Sequence, residues 1–395
     1  MISLRKKVVI AISLVFFSCF FAFTLFVKPA TGFASDGVNY VSPDNLLPGD
    51  IIVLGTPGSF FDYLIPGEYS HSELYCGVVQ PGELIWDRDN HEWMAPGTPY
   101  VIHSTKSDNA GNGLGYSTFE EAVNNHAEDV LILRVLKPNG QLLSASERQA
   151  VVDWAKSRLE GGTDGYPVGP DYDINWFSKD VYGENYYCSE LVWAAYMAVL
   201  GIDLDSETST FDIGVSPDDL WHSQYTSVIA YESGSVTVNC PADIVKVTVF
   251  VDEIYYDTDY DPWPKGAGEM YIISRSGLGD RDVDGNMLAT EEGYPGNGKI
   301  GEVPDGTWSR NGAGPLDWNK YFYALVPVGR YMRIRIEAWE DDSVTDGDDQ
   351  YPVWQWYWSY STWQGYMNNG WWWSGSRVDL GDCRYTIWFK IDTVY

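Results

Sequence analysis

Between residues 47 and 136, apolar positions come in short runs separated by polar or glycine-containing turns. IIVL after Gly49-Asp50, HSELYCGVV from His71, YVIHST from Tyr100 and DVLILRVL from Asp129 are rich in β-branched and aromatic residues and predict strands. The period then changes. Ser144 with Glu147 makes a capping-box pattern, and Val151, Val152, Ala155 and Leu159 fall on one helical face before Gly161-Gly162 stops it. After the loop GPDYDINWFSKDVYGEN, the residues Leu191, Val192, Ala195, Tyr196 and Val199 repeat at helical spacing behind Cys188, and Gly201 ends the run. Beyond Cys240 the pattern is β throughout. MRIRIEAW sets Met332, Ile334, Ile336 and Ala338 against Arg333, Arg335 and Glu337, and RYTIWFKIDTV is similar. These patterns predict an α+β domain over residues 37–238 and an all-β domain, a β-sandwich, over residues 239–395. Within the latter, VWQWYWSYSTW places Trp354, Trp356, Trp358 and Tyr360 on one strand face, which suits a core face better than a sugar-binding platform. Trp371, Trp372 and Trp373 are consecutive and cannot share a face, so at least one is expected at the surface.

A chain of 395 residues exceeds what one hydrophobic core usually serves, in keeping with two domains. Residues 1–34 run from Arg5, Lys6 and Lys7 through a long apolar stretch to Gly32-Phe33-Ala34, the order of a secretory signal cleaved after Ala34. The apolar stretch nearly reaches the length that spans a bilayer, so an uncleaved N-terminal anchor is the alternative. Both place the remaining chain outside the cell. Losing that segment removes four basic residues and no acidic one, which moves the net charge from −31 to −35. Such a surface repels nucleic acid and anionic lipid and suits bound cations or a salty exterior. With 18 Trp, 28 Tyr and 15 Phe, the acidity is no sign of disorder. In an oxidising compartment Cys240 and Cys383, near the two ends of the C-terminal region, are expected to form a disulfide.

Cys188 stands where an irregular segment becomes a helix. Unsatisfied N–H groups and the helix dipole favour a thiolate there, and the same N–H groups can hold an oxyanion after attack on a carbonyl. A buried packing thiol fits the local pattern equally well. A disulfide to Cys76 is disfavoured, since Cys76 and His71 fall on opposite faces of one strand. A cysteine nucleophile also needs a base. His71 opens one predicted strand and His103 lies within another, whereas His91, His126 and His222 sit in polar segments.

GDIIV, SHSELYCGVV and YDINWF…YYCSELVWAAY together resemble the circularly permuted NlpC-type papain-like hydrolases, the YaeF/YiiX group, over about residues 45–225. The histidine precedes the cysteine, which is the permuted order. The resemblance implies a cysteine hydrolase with Cys188 as nucleophile, His71 as general base and then general acid, and His103 in the third, orienting position, with no cofactor. Related permuted enzymes can place a glutamate in that position. Glu73 or Asp108 could supply a carboxylate, but Glu73 lies two residues from His71 on one strand face, a poor arrangement for reaching the far ring nitrogen. Cell-wall peptides and acylated small molecules, through N-acyl or lipid amide and ester bonds, are the substrates expected. The rival is a catalytically silent surface-binding or adhesion protein that works through its C-terminal domain; retention of both Cys188 and His71 favours the enzyme.

In that domain DRDVDGNMLATE matches a calcium-loop template, with Asp280, Asp282, Asp284, Asn286 and Glu291 as ligands and Gly285 at the turn, although the flanking segments do not read as helices. Asp257, Asp259 and Asp261, with Glu340, Asp342 and Asp348, form two further acidic clusters at strand ends, weakly similar to the calcium loops of synaptotagmin-type sandwiches. The domain is also expected to offer a glycan or surface contact through its aromatic residues.

Overall fold

The computed structural model describes residues 39–55, 69–107, 111–125, 129–161, 167–176, 179–205, 214–233, 236–256, 269–278, 296–303, 316–330, 332–341, 349–350, 354–373, 378–379 and 383–394. The segment read as a secretory signal lies outside them, and among the described residues no helix is long and apolar enough to cross a membrane.

The first region holds β1 (Ile51–Gly55), β2 (His71–Val78), β3 (Trp86–Asp87), β4 (Glu92–Trp93), β5 (Pro99–Ser107), β6 (Gly111–Thr118) and β7 (Asp129–Val135). Helix α1 (Ala145–Lys156) follows, then the small ribbon β8 (Glu160–Gly161) and β9 (Pro167–Val168). Helices α2 (Cys188–Leu200) and α3 (Pro217–His222) precede β10 (Thr226–Ser233) and β11 (Val236–Val238). One nine-stranded sheet results, in the order β11-β10-β7-β1-β2-β5-β6-β3-β4. Its centre is buried on both faces. Ile51, Val53, Leu131 and Leu133 join the cluster formed with α1 and α2, while Ile52, Leu54, Val130 and Ile132 join a second cluster on the other side. Double-sided burial explains why these strands read as unbroken apolar runs.

Two helix ends follow the local rules expected of them. At α1, Ser144 Oγ accepts from the Glu147 N–H at 3.2 Å and Glu147 Oε2 accepts from the Ser144 N–H at 2.8 Å. At α2, Gly201 adopts φ 64°, the left-handed conformation that glycine takes without Cβ strain.

The second region contains β12 (Ile244–Tyr256), β13 (Glu269–Leu278), β14 (Gly296–Val303), β15 (Leu316–Pro327), β16 (Met332–Asp341), β17 (Asp349–Gln350), β18 (Trp354–Trp358), helix α4 (Tyr360–Trp363), β19 (Trp372–Trp373), β20 (Val378–Asp379) and β21 (Cys383–Val394). They form two antiparallel sheets. One runs β15-β12-β21-β19, with β20 also on β21, and the other runs β14-β13-β16-β17, with β18 also on β16. The region is not an appendage. Leu325 is fully buried in one cluster with Ile229, Ala230 and Ile244, and the Leu325 N–H donates to Ser227 Oγ at 3.1 Å.

Two expectations are corrected here. Cys240 is a free thiol, buried beside the Asn45 carbonyl, not half of a disulfide with Cys383. Cys383 pairs in register with Tyr256, at the far end of β12, whereas Cys240 precedes Ile244 at its near end. Thirteen strand residues span about 40 Å, far beyond the roughly 7 Å between Cα atoms that a disulfide tolerates. Cys76 and Cys188 are also free thiols. The second correction concerns Tyr360. It does not continue the tryptophan strand: β18 stops at Trp358, and Ser359 starts a helical turn whose Tyr360 and Trp363 rings meet edge to face at 5.0 Å. Trp371 meets the expectation of an exposed ring, at 45% accessibility, and it neighbours Phe250 and Tyr321 on the sheet containing β12 and β15.

Asp257, Asp259, Asp261, Asp280, Asp282, Asp284, Asn286, Glu291, Asp342 and Asp348, read as calcium ligands, lie outside the described residues. Glu340 falls within β16, where its backbone pairs with Met270 and Asp349.

Candidate active site

Cys188 is the first residue of α2, preceded by an extended Tyr187 at φ −87°, ψ 173°. The helix is fixed from several sides. Leu191, Val192, Ala194, Ala195 and Tyr196 are buried, and the Tyr196 hydroxyl donates to the Gly49 carbonyl. Ser104 Oγ on β5 donates to the Tyr186 carbonyl at 2.6 Å, and Ser189 Oγ donates to the Val215 carbonyl at 2.6 Å. At the helix start, Glu190 accepts from the N–H groups of Asp180 (2.8 Å) and Tyr187 (3.3 Å), and burial pushes its own pKa up to about 7. These ties hold the sulfur against the first residues of β2, where it accepts from the backbone N–H groups of Ser72 and Ser189.

His71 opens β2 and pairs in register with Leu54. It hydrogen-bonds to Cys188. Its Nε2 faces His103 Nδ1 on β5 at 3.0 Å and Glu73 Oε1 at 3.4 Å, which leaves Nδ1 for the sulfur. Glu73 Oε1 also lies 3.0 Å from His103 Nδ1. Both Glu73 and His103 are buried.

The electrostatics favour a charged pair. Burial alone would lower the pKa of His71, but the Cys188 thiolate and then Glu73 reverse this and raise it from 6.5 to about 10. Burial alone would raise Cys188, yet His71 and the two backbone donors bring it below its ordinary value. Burial would likewise raise Glu73, but His103 and His71 pull it down to about 2. His103 is lowered, chiefly by burial, with Arg88 and His71 adding to that and Glu73 opposing it. The directions of these shifts favour a Cys188 thiolate beside a His71 imidazolium, with Glu73 as carboxylate and His103 as neutral imidazole. His71, Glu73 and His103 also present ligand-type atoms within 4.8 Å of one another. A cation there would meet both imidazolium charge and the Arg88 guanidinium, whose Nη2 is 2.9 Å from His103 Nε2, so the donor set suits proton handling better than a metal.

Burial followed by the charge of Cys188 raises the pKa of Tyr172, whose hydroxyl accepts from Trp176 Nε1 at 3.1 Å. The backbone N–H of Cys188, at the first turn of α2, supplies a donor. A thiolate flanked by a protonated imidazole and such a backbone donor can attack a carbonyl, hold the oxyanion and protonate a leaving group.

The structure thus brings Cys188, His71 and His103 together. It reverses the reading of Glu73. Residues two apart on one strand face project side by side, and the imidazole and the longer carboxylate chain meet above the strand. The overlooked signal was the isolation of Glu73 among buried neighbours in HSELYC, because a buried carboxylate needs a partner. His91 is exposed in a turn and His222 stacks on Trp221 at 4.2 Å, while His126 and Asp108 lie outside the described residues.

Fold and site together have the arrangement of a permuted papain-like domain, with a cysteine at a helix start facing a histidine on a neighbouring strand. Residues 45–239 match the family described as permuted papain-like amidase enzyme, YaeF/YiiX, C92 family. A curated relative, the uncharacterized protein YycO of Bacillus subtilis (strain 168), is 34% identical over 89 residues; the match covers 22% of this chain and 31% of the relative, so the chain spans about a third of that protein's length. Among solved structures, human GIVD cytosolic phospholipase A2 in complex with methyl gamma-linolenyl fluorophosphonate has a TM-score of 0.25 at 14% identity, covering 38% of this chain and 17% of that one. A C2 domain protein from Ramazzottius varieornatus has a TM-score of 0.25 at 14% identity, covering 38% of this chain and 90% of that one. Likeness of that degree carries no functional meaning.

Proposed function

We propose that the protein is an extracellular cysteine amidase. Cys188 is the nucleophile, His71 the general base and then general acid, and Glu73 the charge that steadies the His71 imidazolium beside His103. The observation that carries this reading is the cluster itself: Cys188 opens α2 and hydrogen-bonds to His71, whose other ring nitrogen lies 3.0 Å from His103 and 3.4 Å from Glu73. Attack by the Cys188 sulfur on an amide or ester carbonyl forms a carbon–sulfur bond. His71 gives its proton to the departing amine or alcohol, and water then hydrolyses the thioester with His71 taking a proton from it. Substrates of the expected classes are cell-wall peptides and acylated small molecules. An activated-ester acyl probe followed by intact-mass measurement tests the proposal. The wild-type protein should gain one acyl group, and Cys188→Ala and His71→Ala should gain none; full hydrolysis by Cys188→Ala would end it.

A second, smaller role belongs to the C-terminal region, which we propose contacts a glycan through Phe250, Tyr321 and Trp371. Phe250 and Tyr321 stack at 4.5 Å, each is 6.1 Å from Trp371, and Tyr321 and Trp371 are 49% and 45% exposed. A sugar's C–H faces suit such rings, and the acidic chain disfavours polyanionic glycans. Tyr321→Ala/Trp371→Ala should lower retention on insoluble cell-wall polysaccharide without lowering hydrolysis of a soluble substrate. Unchanged retention would remove this role.

A further inference from the structure

Arg88 does not touch the sulfur, yet the turn after β3 is built to deliver it to the site. Asp87, fully buried, accepts from the N–H groups of Asp89 (2.9 Å) and Asn90 (3.1 Å) and from Asn90 Nδ2 (3.0 Å), which fixes the turn. The Arg88 side chain crosses β6 at Gly115, where an added Cβ would come within 2.8 Å of Arg88 Cδ, so only glycine leaves room for it. Its Nη1 donates to the Gly113 carbonyl at 2.6 Å, its Nε to Asp89 Oδ1 at 3.3 Å, and its Nη2 reaches His103 Nε2 at 2.9 Å.

A guanidinium can only donate. His103 Nε2 must therefore accept, and the single proton of a neutral ring sits on Nδ1. Ser117 Oγ, 2.8 Å from the same nitrogen, does not decide the matter, because its hydroxyl can turn either to Nε2 or to Asp89 Oδ2. With its proton on Nδ1, His103 cannot accept from a protonated His71. Glu73 Oε1, within 3.4 Å of His71 Nε2 and 3.0 Å of His103 Nδ1, is then the lone pair that serves both rings.

We propose that Arg88 is a positioning residue that locks the tautomer of His103, so that Glu73 rather than His103 takes the hydrogen bond of the His71 imidazolium. The opposite tautomer has a waiting path, from His103 Nε2–H through Ser117 Oγ to Asp89, and it would turn a bare Nδ1 toward His71. The charged and titratable groups facing His103 are thus His71 and Glu73 from β2, Arg88 from the turn, and Asp89 through Ser117. The proposal rests on the reading of Cys188 and His71 as the catalytic pair, but its test does not need turnover.

Long-range 1H–15N spectra of the full chain labelled at its five histidines, with His103 assigned by comparison with His103→Asn, report which ring nitrogen carries the proton. The wild-type protein at neutral pH should show neutral His103 protonated at Nδ1. Arg88→Met should move the proton to Nε2 or add a second one, with a loss in kcat and little change in KM, and Arg88→Lys, which keeps a cationic donor, should restore the wild-type pattern in part. Wild-type His103 protonated at Nε2 would overturn the assignment whether or not any variant folds, and so would an Arg88→Met spectrum identical to wild type. Loss of the acyl adduct on Cys188 would instead strike the catalytic reading and leave the tautomer result standing.

Discussion

Glu73→Gln should lower kcat by about 10³- to 10⁴-fold with little change in KM, the scale seen when the carboxylate behind a catalytic histidine is made neutral. The substitution keeps the shape of the side chain and removes the charge beside two imidazoles. It leaves the His71 imidazolium without its buried anion just when the oxyanion forms. The pH profile should change with it. In the wild-type protein the raised pKa of His71 means that the stability it contributes is fully present below 6.5 and is lost as the pH rises through about 10. Glu73, lowered to about 2, contributes above 4.5, and its contribution is lost only as the pH falls through about 2. The activity profile should therefore end on the basic side near the His71 value, and in Glu73→Gln that limb should move to lower pH. Steady-state kinetics across pH measure both effects. Retention of a tenth or more of kcat would show that the imidazolium draws its stabilisation from elsewhere.

Asp50→Ala should destabilise the protein by about 3–5 kcal/mol, the cost of stranding a buried partner charge. Asp50 is 1% exposed and meets Arg134 through two contacts, Oδ1 to Nε at 2.9 Å and Oδ2 to Nη2 at 2.7 Å. Oδ2 also accepts from the Leu47 N–H at 2.7 Å, and the Asp50 carbonyl accepts from the Tyr75 N–H at 2.9 Å. One aspartate thus ties the entry of β1 to β2 and β7. Removing it leaves the Arg134 guanidinium, 7% exposed, without its anion. Replacing both, as Asp50→Leu/Arg134→Met, should recover much of the loss, because no uncompensated charge remains. Urea denaturation of the three proteins reads this directly; a loss below about 1 kcal/mol for Asp50→Ala would mean that water reaches the guanidinium.

Much of this arrangement was legible in the sequence. Apolar runs and helical spacing located β1, β2, β5, β7, α1 and α2, because burial of these segments dominates their local pattern. Cys188 and His71 stood out by residue type and by place within those elements. What stayed hidden depended on tertiary register. That Glu73 reaches the His71 ring depends on how far two side chains lean over one strand, and the place of Arg88 on a turn beyond β2 that crosses β6 above His103. The disulfide expectation failed for a related reason: nearness to the two ends of a region in sequence says nothing about distance when a long strand lies between them. Tyr360 was misplaced because alternating tryptophans continue a strand pattern past the point where Ser359 begins a helical turn.

The order of the elements along the chain also bears on biosynthesis. The strands carrying His71, Glu73 and His103 emerge from the ribosome before α2, and the helix bearing the thiol must then close a long loop to reach β2. Until that late docking step, the cysteine lacks both its imidazolium partner and the N–H groups of Ser72 and Ser189 that hold the sulfur. Nascent chains should therefore carry an ordinary thiol, and the nucleophile gains its reactivity only as folding ends.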